Sequence, residues 1–385
     1  MFIHFLLIKN KRDCILNLYK NKRERTLLAF IQDLLAAIGV VINGIPQGIL
    51  ALSFGFAAFP TALGFIFSAV VNAFTKSVAP VSFQVETITV AGTMGTNKRE
   101  RISIIFYAAL IMTVVGLLGW MDKLVDFIGI EITSGMMAGV GLILVRASID
   151  MLKNKRIVGL ISFASALITY VFTKNLVYTI VISVSLPTLY SSLYKKEFFE
   201  LPDGVAERKL NFIKPLTLTP KILRGALALA CLNVGSNISF GMITGSMTGQ
   251  ETNPVNVDVL TVVSSIADLV SGLFGGAPLE SIISATGSAP HPVFAGVLMM
   301  VLMAALLLFG LLPKLGKFVP MESIAGFLFV LGAIVTTPSN FATGAAIEPM
   351  TTGLTMIVSF FADPFFGMLT GVVVKFILPL LGVFL

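Results

Sequence analysis

Charge is scarce in this sequence. Lys, Arg, Asp and Glu make up 12% of its 385 residues, about half the ~25% usual in soluble domains. A soluble chain of this length can bury a large core, but it cannot hide 56% hydrophobic residues at a mean hydropathy of +0.93. Cysteine and histidine are nearly missing. Cys14 and Cys231 lie in unrelated contexts, and His4 and His291 are isolated, so no disulfide framework or metal spacing follows. No metal site and no resident cofactor are expected. The phosphate-cradling pattern GxxxxGK[ST] is absent, which excludes ATP drive within the chain, and no nucleophile–base constellation for acyl transfer stands out. An enzyme is not expected. The formal net charge of +7 comes largely from loop Lys and Arg. It reads as a topology signal rather than a nucleic-acid-binding face.

What the chain does hold is apolar runs of about 20 residues, one after another, the signature of a helical multi-pass membrane protein. Residues 1–26 join a short apolar start to Lys9, Lys11, Arg12, Lys20, Lys22, Arg23 and Arg25. They suit an amphipathic helix on an anionic leaflet better than a signal peptide. Spans are expected near 27–44, 49–74, 78–94, 102–120, 132–151, 157–173 and 176–194. One long hydrophilic break, the 195–220 connector with KKEFFELPDGVAERK, comes next. Seven more follow near 221–246, 255–273, 277–289, 292–313, 319–336, 347–362 and 365–385.

The halves 27–194 and 221–385 echo each other. Ala79-Pro80 opens the third span of one and Ala277-Pro278 the third span of the other, and each stretch runs through Ser, Thr and a carboxylate to a small-residue end. The fifth spans share Ala138-Gly139 and Ala325-Gly326. An odd number of spans per repeat inverts the second copy, and interrupted segments at matching positions of inverted repeats point to a transporter site. The expected fold is all-α, with about fourteen spans in two inverted seven-span repeats and broken half-helices in spans three and ten. The charges conflict with this count. A cytoplasmic N-terminus puts the loops bearing Lys98, Arg99, Arg101, Lys153, Lys155 and Arg156, and the connector, outside, whereas the positive-inside rule wants both them and the N-terminal segment inside.

The centre of interest is FGGAPLESIISATG, Phe274–Gly287, where Gly275, Gly276 and Pro278 break an apolar run beside Glu280 and Ser281. Broken backbone at membrane depth survives only where protein or a wet cavity satisfies it, and an ionisable residue there marks a site. Glu86 has the same character, with Ser82, Gln84, Thr87 and Thr89 around it. A buried carboxylate must be protonated, paired or solvated, so Glu86 and Glu280 are candidates to carry a coupling proton, or else to cap a helix N-terminus. Asn233 and Asn237 share a helix face near Ser236 and Ser239, either touching a ligand or gluing helices. Asn43 and Gln47 flank Pro46 in NGIPQG, a third wall of the site or a turn near the interface. The candidate substrate-binding set is thus Glu280, Glu86, Gln84, Asn233, Asn237, Ser281 and Gln47. Asp33, Asp258, Asp268, Glu322, Glu348 and Asp363 are expected to be solvated or capping, and Arg146 to pair with Asp150 four residues on.

Taken in order, SVAPVSFQVETITVAG, SGMMAGVGLILV, SGLFGGAPLESIISATG, VPMESIAGFLFVLGAIV and PMTTGLTMIVSFFADPFFGMLTG resemble the nucleobase permeases of the xanthine/uracil and adenine/guanine/hypoxanthine families, across residues 27–385. The resemblance implies a core of spans 1–4 and 8–11 and a gate of spans 5–7 and 12–14. Short strands would precede the half-helices, with the substrate between them. It implies a multi-pass cell-membrane permease, proton- or sodium-coupled uptake of a nucleobase by an elevator movement, and a homodimer through the gates. The usual acidic residue of span eight is replaced by Leu232, followed by Asn233. The late Glu of span ten falls near Ile283, one turn beyond Glu280. The segment DLLAAIGVVINGIPQGILAL instead resembles the first span of the sulfate permeases, which share the fold and place an Ile-Pro-Gln near the anion. That is the alternative expectation. Two charged carboxylates would repel an anion by several kcal/mol in low dielectric, so the nucleobase reading is preferred at this stage.

Overall fold

In the computed structural model the backbone is described for residues 2–195 and 201–380, and side chains from Thr26 onward. The interfacial role expected of residues 1–25 rests on side chains outside that set. The first repeat comprises α1 (Phe2–Ser53), α2 (Ala58–Thr75), the short strand β1 (Val81–Ser82), α3 (Val85–Met94), α4 (Lys98–Leu117), α5 (Met121–Ile128), α6 (Ile130–Asn154), α7 (Arg156–Thr173) and α8 (Leu176–Tyr190). In the second, α9 (Pro220–Ser236) continues through a π-turn, Asn237–Gly241, into α10 (Met242–Ser246). Then come α11 (Val257–Gly272), β2 (Glu280–Ser281), a single 3-10 turn at Ala285–Ser288, α12 (Pro292–Leu308) and α13 (Leu311–Gly316). The passage 321–345 contains α14 (Ala325–Phe329) and α15 (Thr337–Ala345) around a π-turn, and α16 (Pro349–Phe361) and α17 (Pro364–Leu380) close the chain. Among the described residues this makes fourteen passages, with Phe2 and Leu380 on one face and the connector on the other.

Six helices are long and apolar enough to cross a bilayer on length and composition, among the described residues. Large apolar side chains such as Leu27, Phe74, Leu117 and Phe172 are more than half exposed on the outside, a surface that suits lipid and not water. The protein is a multi-pass membrane protein. Helix starts follow their sequence signals: Asn97 accepts from the Glu100 amide, Thr219 from Ile222 just before Pro220, and Asn256 from Val259, each satisfying an otherwise orphaned donor.

The inverted repeat is visible in the packing. Helix α4 lies on α11 as α12 lies on α2, and α6 meets α16 as α14 meets α7. The Ala-Gly pairs sit at these equivalent crossings. A Cβ on Gly139 would come within 2.6 Å of the Met356 carbonyl oxygen of α16, and one on Gly326 within 2.1 Å of the Ser162 oxygen of α7. Close backbone approach through small residues is how helices associate where lipid removes the hydrophobic drive. The two Ala-Pro segments are likewise tethered alike. Asn72 of α2 donates to the Ala79 carbonyl at 2.8 Å, and Ser271 of α11 donates to that of Ala277 at 2.9 Å.

Two expectations need correction. Span ten, expected near 277–289 as a half-helix after a short strand, has the strand, but its helical part is one 3-10 turn. Pro278 and the crowded Gly276, whose Cβ would lie 2.1 Å from Ser271 Oγ, leave no room to start a helix earlier. Around Pro46 there is no turn: α1 runs straight through it, since proline removes one hydrogen bond and a membrane helix tolerates that loss.

Candidate functional site

Both interrupted passages meet in the middle of the molecule. Strands β1 and β2 pair antiparallel, Val81 with Ser281 and Ser82 with Glu280. Each supplies the other with backbone partners that a broken helix cannot provide. Gly275, at φ +88°, allows the reversal from α11 into this strand, a conformation side chains resist. Asp268 then fixes the entering chain by accepting from the Leu279 amide at 2.6 Å. After β1, Gln84 is extended and α3 begins at Val85 with no side-chain cap on its first amides. A ten-residue helix thus points its positive end at the strand crossing.

Glu280, expected on a half-helix, stands in β2 and is 2% exposed. Its Oε2 accepts from Asn233 Nδ2 at 2.8 Å. Asn237 Nδ2 donates to Asn233 Oδ1 at 2.7 Å and reaches Thr261 Oγ1 at 3.1 Å. A relay of side chains therefore ties β2 to α9 and α11. It ends at the π-turn beginning with Asn237, a distortion frequent at functional sites. Asn233 thus bonds Glu280 directly, and Asn237 bonds Asn233 and Thr261. Ser239 lies outside the described side chains.

Glu86 occupies the first turn of α3, 5% exposed. Beside it Gln84 is held at one end only. Its Oε1 accepts from Thr87 Oγ1 at 2.5 Å, while its Nε2 is buried with no partner among the described residues. Ser82 Oγ and Ser281 Oγ are unpartnered and buried in the same sense. They repeat one motif: a Cβ on Gly44 of α1 would lie 3.4 Å from Ser82 Oγ, and one on Gly241 beside α9 3.3 Å from Ser281 Oγ. Gln47 is 9% exposed and donates to the Asn43 carbonyl one turn back at 3.3 Å, with Asn43 Oδ1 buried and unpartnered.

The structure therefore brings Glu280, Asn233 and Asn237 into one network, leaves Ser281 next to Glu280 in β2 with its hydroxyl unpartnered among the described residues, sets Gln84 and Glu86 at the facing helix start, and shows Gln47 on α1 bonded to its own helix. Asp268, expected to be solvated or capping, is 5% exposed and holds the Leu279 amide of the interrupted passage. Sequence reasoning missed the burial of Asp33, 1% exposed, whose carboxylate accepts from the His291 amide at 2.9 Å and faces its Nδ1 at 2.8 Å. Asp363, 3% exposed, is paired with Arg224 and also caps α17, accepting from the Phe366 amide at 3.0 Å. Glu348 does cap, accepting from the Thr351 amide at 2.6 Å. Asp150 pairs with Lys153 at 2.9 Å, not with Arg146. Ile283, where the nucleobase permeases carry their second Glu, is 48% exposed. Among the described residues no cluster of His, Cys, Asp and Glu is suited to a transition metal.

No protein-family profile matches this sequence and no curated protein does, but solved structures do. The transmembrane domain of a cyanobacterium bicarbonate transporter, BicA, superposes with a TM-score of 0.64 at 15% identity, covering 89% of this chain and 97% of that one. SLC26A9 matches at 0.65 and 15%, over 92% of this chain and 66% of that one. The murine Slc26a9 anion transporter in its inward-facing state gives 0.64 and 15%, over 91% and 68%. The fold is therefore the one shared by these transporters, with its inverted repeats and paired interrupted passages. The nucleobase expectation is overturned by the same finding: two of these structures are of a bicarbonate transporter and an anion transporter, which favours the sulfate-permease-like alternative.

Proposed function

We propose that this protein moves a small inorganic anion across the bilayer as a secondary transporter. The carrying observation is the donor set at the strand crossing: among the described residues, a buried Gln84 amide without a partner, unpartnered Ser82 and Ser281 hydroxyls, one on each face of the strand pair, and a start of α3 without a side-chain cap from Gln84. Orphaned buried donors cost about 1–3 kcal/mol each and are retained where a ligand completes them. An anion accepts from the groups on its own face of the strand pair, and neighbouring side chains of a strand face opposite ways. The likeness to anion-carrying structures supports the same substrate class.

The two carboxylates then acquire a task. A charge of like sign at about 4 Å costs ~4 kcal/mol at an effective dielectric of 20, so the anion enters with Glu280 and Glu86 neutralised by a proton, or with sodium beside them. Substrate and coupling cation thus load together. In this reading α1–α4 and α9–α12 form a core carrying the site and α6–α8 and α14–α17 a gate against which it slides. Gates paired as a homodimer would hold the frame still.

Flux of bicarbonate, sulfate, chloride and nitrate into vesicles, with and without an inward proton or sodium gradient, tests the proposal. One of these anions moves in wild type and responds to one gradient. Glu280→Gln and Glu86→Gln keep downhill exchange but lose the response. Absence of flux for every anion at every gradient would sink the reading.

A further inference from the structure

We propose a second small-anion site, in the cleft between α3 and the α6, α16 and α17 group, that feeds the central site from the connector face. It rests on the anion-transport reading above. A cavity of about 330 Å³ opens there, lined by Thr89, Thr93, Arg146, Asp150, Phe360 and Asp363 among others. At roughly 30 Å³ per water, it has room for a hydrated anion.

Its charge balance is uneven. Asp150 is answered by Lys153 at 2.9 Å and Asp363 by Arg224, so each carboxylate on the wall already has a cation. Arg146 has neither an ion pair nor a hydrogen bond among the described residues, although it lies on α6 eight residues before that helix ends at Asn154. That places it about 12 Å along the axis from the helix end, with its side chain exposed on the cavity wall. A second and independent sign lies opposite. Thr89 is fully buried, borders the same cavity, and its Oγ1 has no partner among the described residues. A guanidinium and a buried unpartnered hydroxyl bordering one cavity suit a halide or small oxyanion. Thr89 is one turn of α3 beyond Glu86, so an anion held here is one step from the strand crossing.

The test uses the full chain with Cys14 and Cys231 replaced by alanine and Thr93→Cys introduced as a reporter on the cavity wall. Thiol reagents of equal size and opposite charge are compared in detergent, then in the presence of chloride, sulfate or bicarbonate at constant ionic strength. The anionic reagent is expected to be favoured about threefold more with Arg146 than with Arg146→Gln, from a single screened charge nearby. At least one of the three anions slows its reaction, and Arg146→Lys restores much of the preference. The proposal falls if none of the anions protects the Arg146 protein, a result that needs no variant to fold, or if Arg146→Gln leaves charge preference and protection unchanged. Vesicle flux separates the two readings. Protection without flux keeps this site and removes transport, and flux without protection removes this site alone. Flux in which Arg146→Gln raises KM several-fold more than it lowers the maximal rate supports both.

Discussion

Gln84 is pinned through its carbonyl by Thr87 and left with a buried, idle amide, an arrangement that favours a ligand over the fold. Gln84→Leu removes the idle amide but also strands the buried Thr87 hydroxyl, so the apo protein should lose about 1 kcal/mol or more, while stabilisation by anions disappears. For a wild-type protein at 100 times Kd that stabilisation is about 2.7 kcal/mol, readable as a melting shift on adding the transported anion. An anion-dependent shift that survives in Gln84→Leu would remove this side chain from the site. Asn233 is bonded at both ends. It donates to Glu280 and accepts from Asn237, so Asn233→Leu strands two buried polar groups and should cost about 3 kcal/mol in chemical or thermal denaturation; a loss below about 1 kcal/mol would mean the relay is not structural. Glu280, Glu86, Gln84 and Asn233 were legible because each breaks an apolar run at a position that chain chemistry marks. Asp268 and Asp33 were not. Their partners, the Leu279 amide and His291, lie 11 and 258 residues away, and no local period encodes such a meeting.

At the scale of elements, the fold is set by where the backbone can approach and where it must break. The Ala-Gly echo in the fifth span of each repeat foretold equivalent crossings, because a missing side chain is visible in sequence and a close approach is what it permits. What sequence could not foretell was how the broken passages would end. The 3.6-residue pattern fits 277–289 as well as 78–94, yet after the two paired strands only Val85–Met94 becomes a helix, while Ala285–Ser288 makes a single 3-10 turn. Two glycine substitutions separate close approach from mere composition. Gly326→Ala pushes a Cβ against the backbone of Ser162 and should cost about 3 kcal/mol or more. Gly353→Ala, inside α16 with nothing within 4 Å of the added carbon, should gain up to about 1 kcal/mol from helix propensity. Melting of the two variants beside wild type checks both signs, and equal effects would show that the crossing of α14 and α7 is not tightly packed.

At the scale of the whole molecule, the charge conflict seen in the sequence becomes a statement about orientation. Fourteen passages leave no miscount to absorb it: the loops on the connector face lie together on one side of the fold. They carry Lys98, Arg99 and Arg101, then Lys153, Lys155 and Arg156, then Arg208, Lys209 and Lys214, and finally Lys314 and Lys317. The opposite face has only Lys76, Lys123 and Lys174 in its loops, plus the basic segment that opens α1. Orientation follows Lys and Arg in short loops close to the membrane, and later charges can outweigh the first helix. The connector face is therefore expected in the cytoplasm. Its basic groups then meet an anionic leaflet, each worth ~1 kcal/mol near the surface, and the cleft holding Arg146 opens to the cytoplasm. Single cysteines placed at Ser77 and at Asp203, in a chain otherwise free of cysteine, should divide in intact cells: an impermeant thiol reagent labels the first and spares the second until the membrane is opened. The reverse pattern would show that the N-terminal segment, with its seven Lys and Arg before residue 26, outweighs every loop that follows it. Removing Lys20, Lys22, Arg23 and Arg25 together should then invert the labelling, because no other basic cluster holds that face inside.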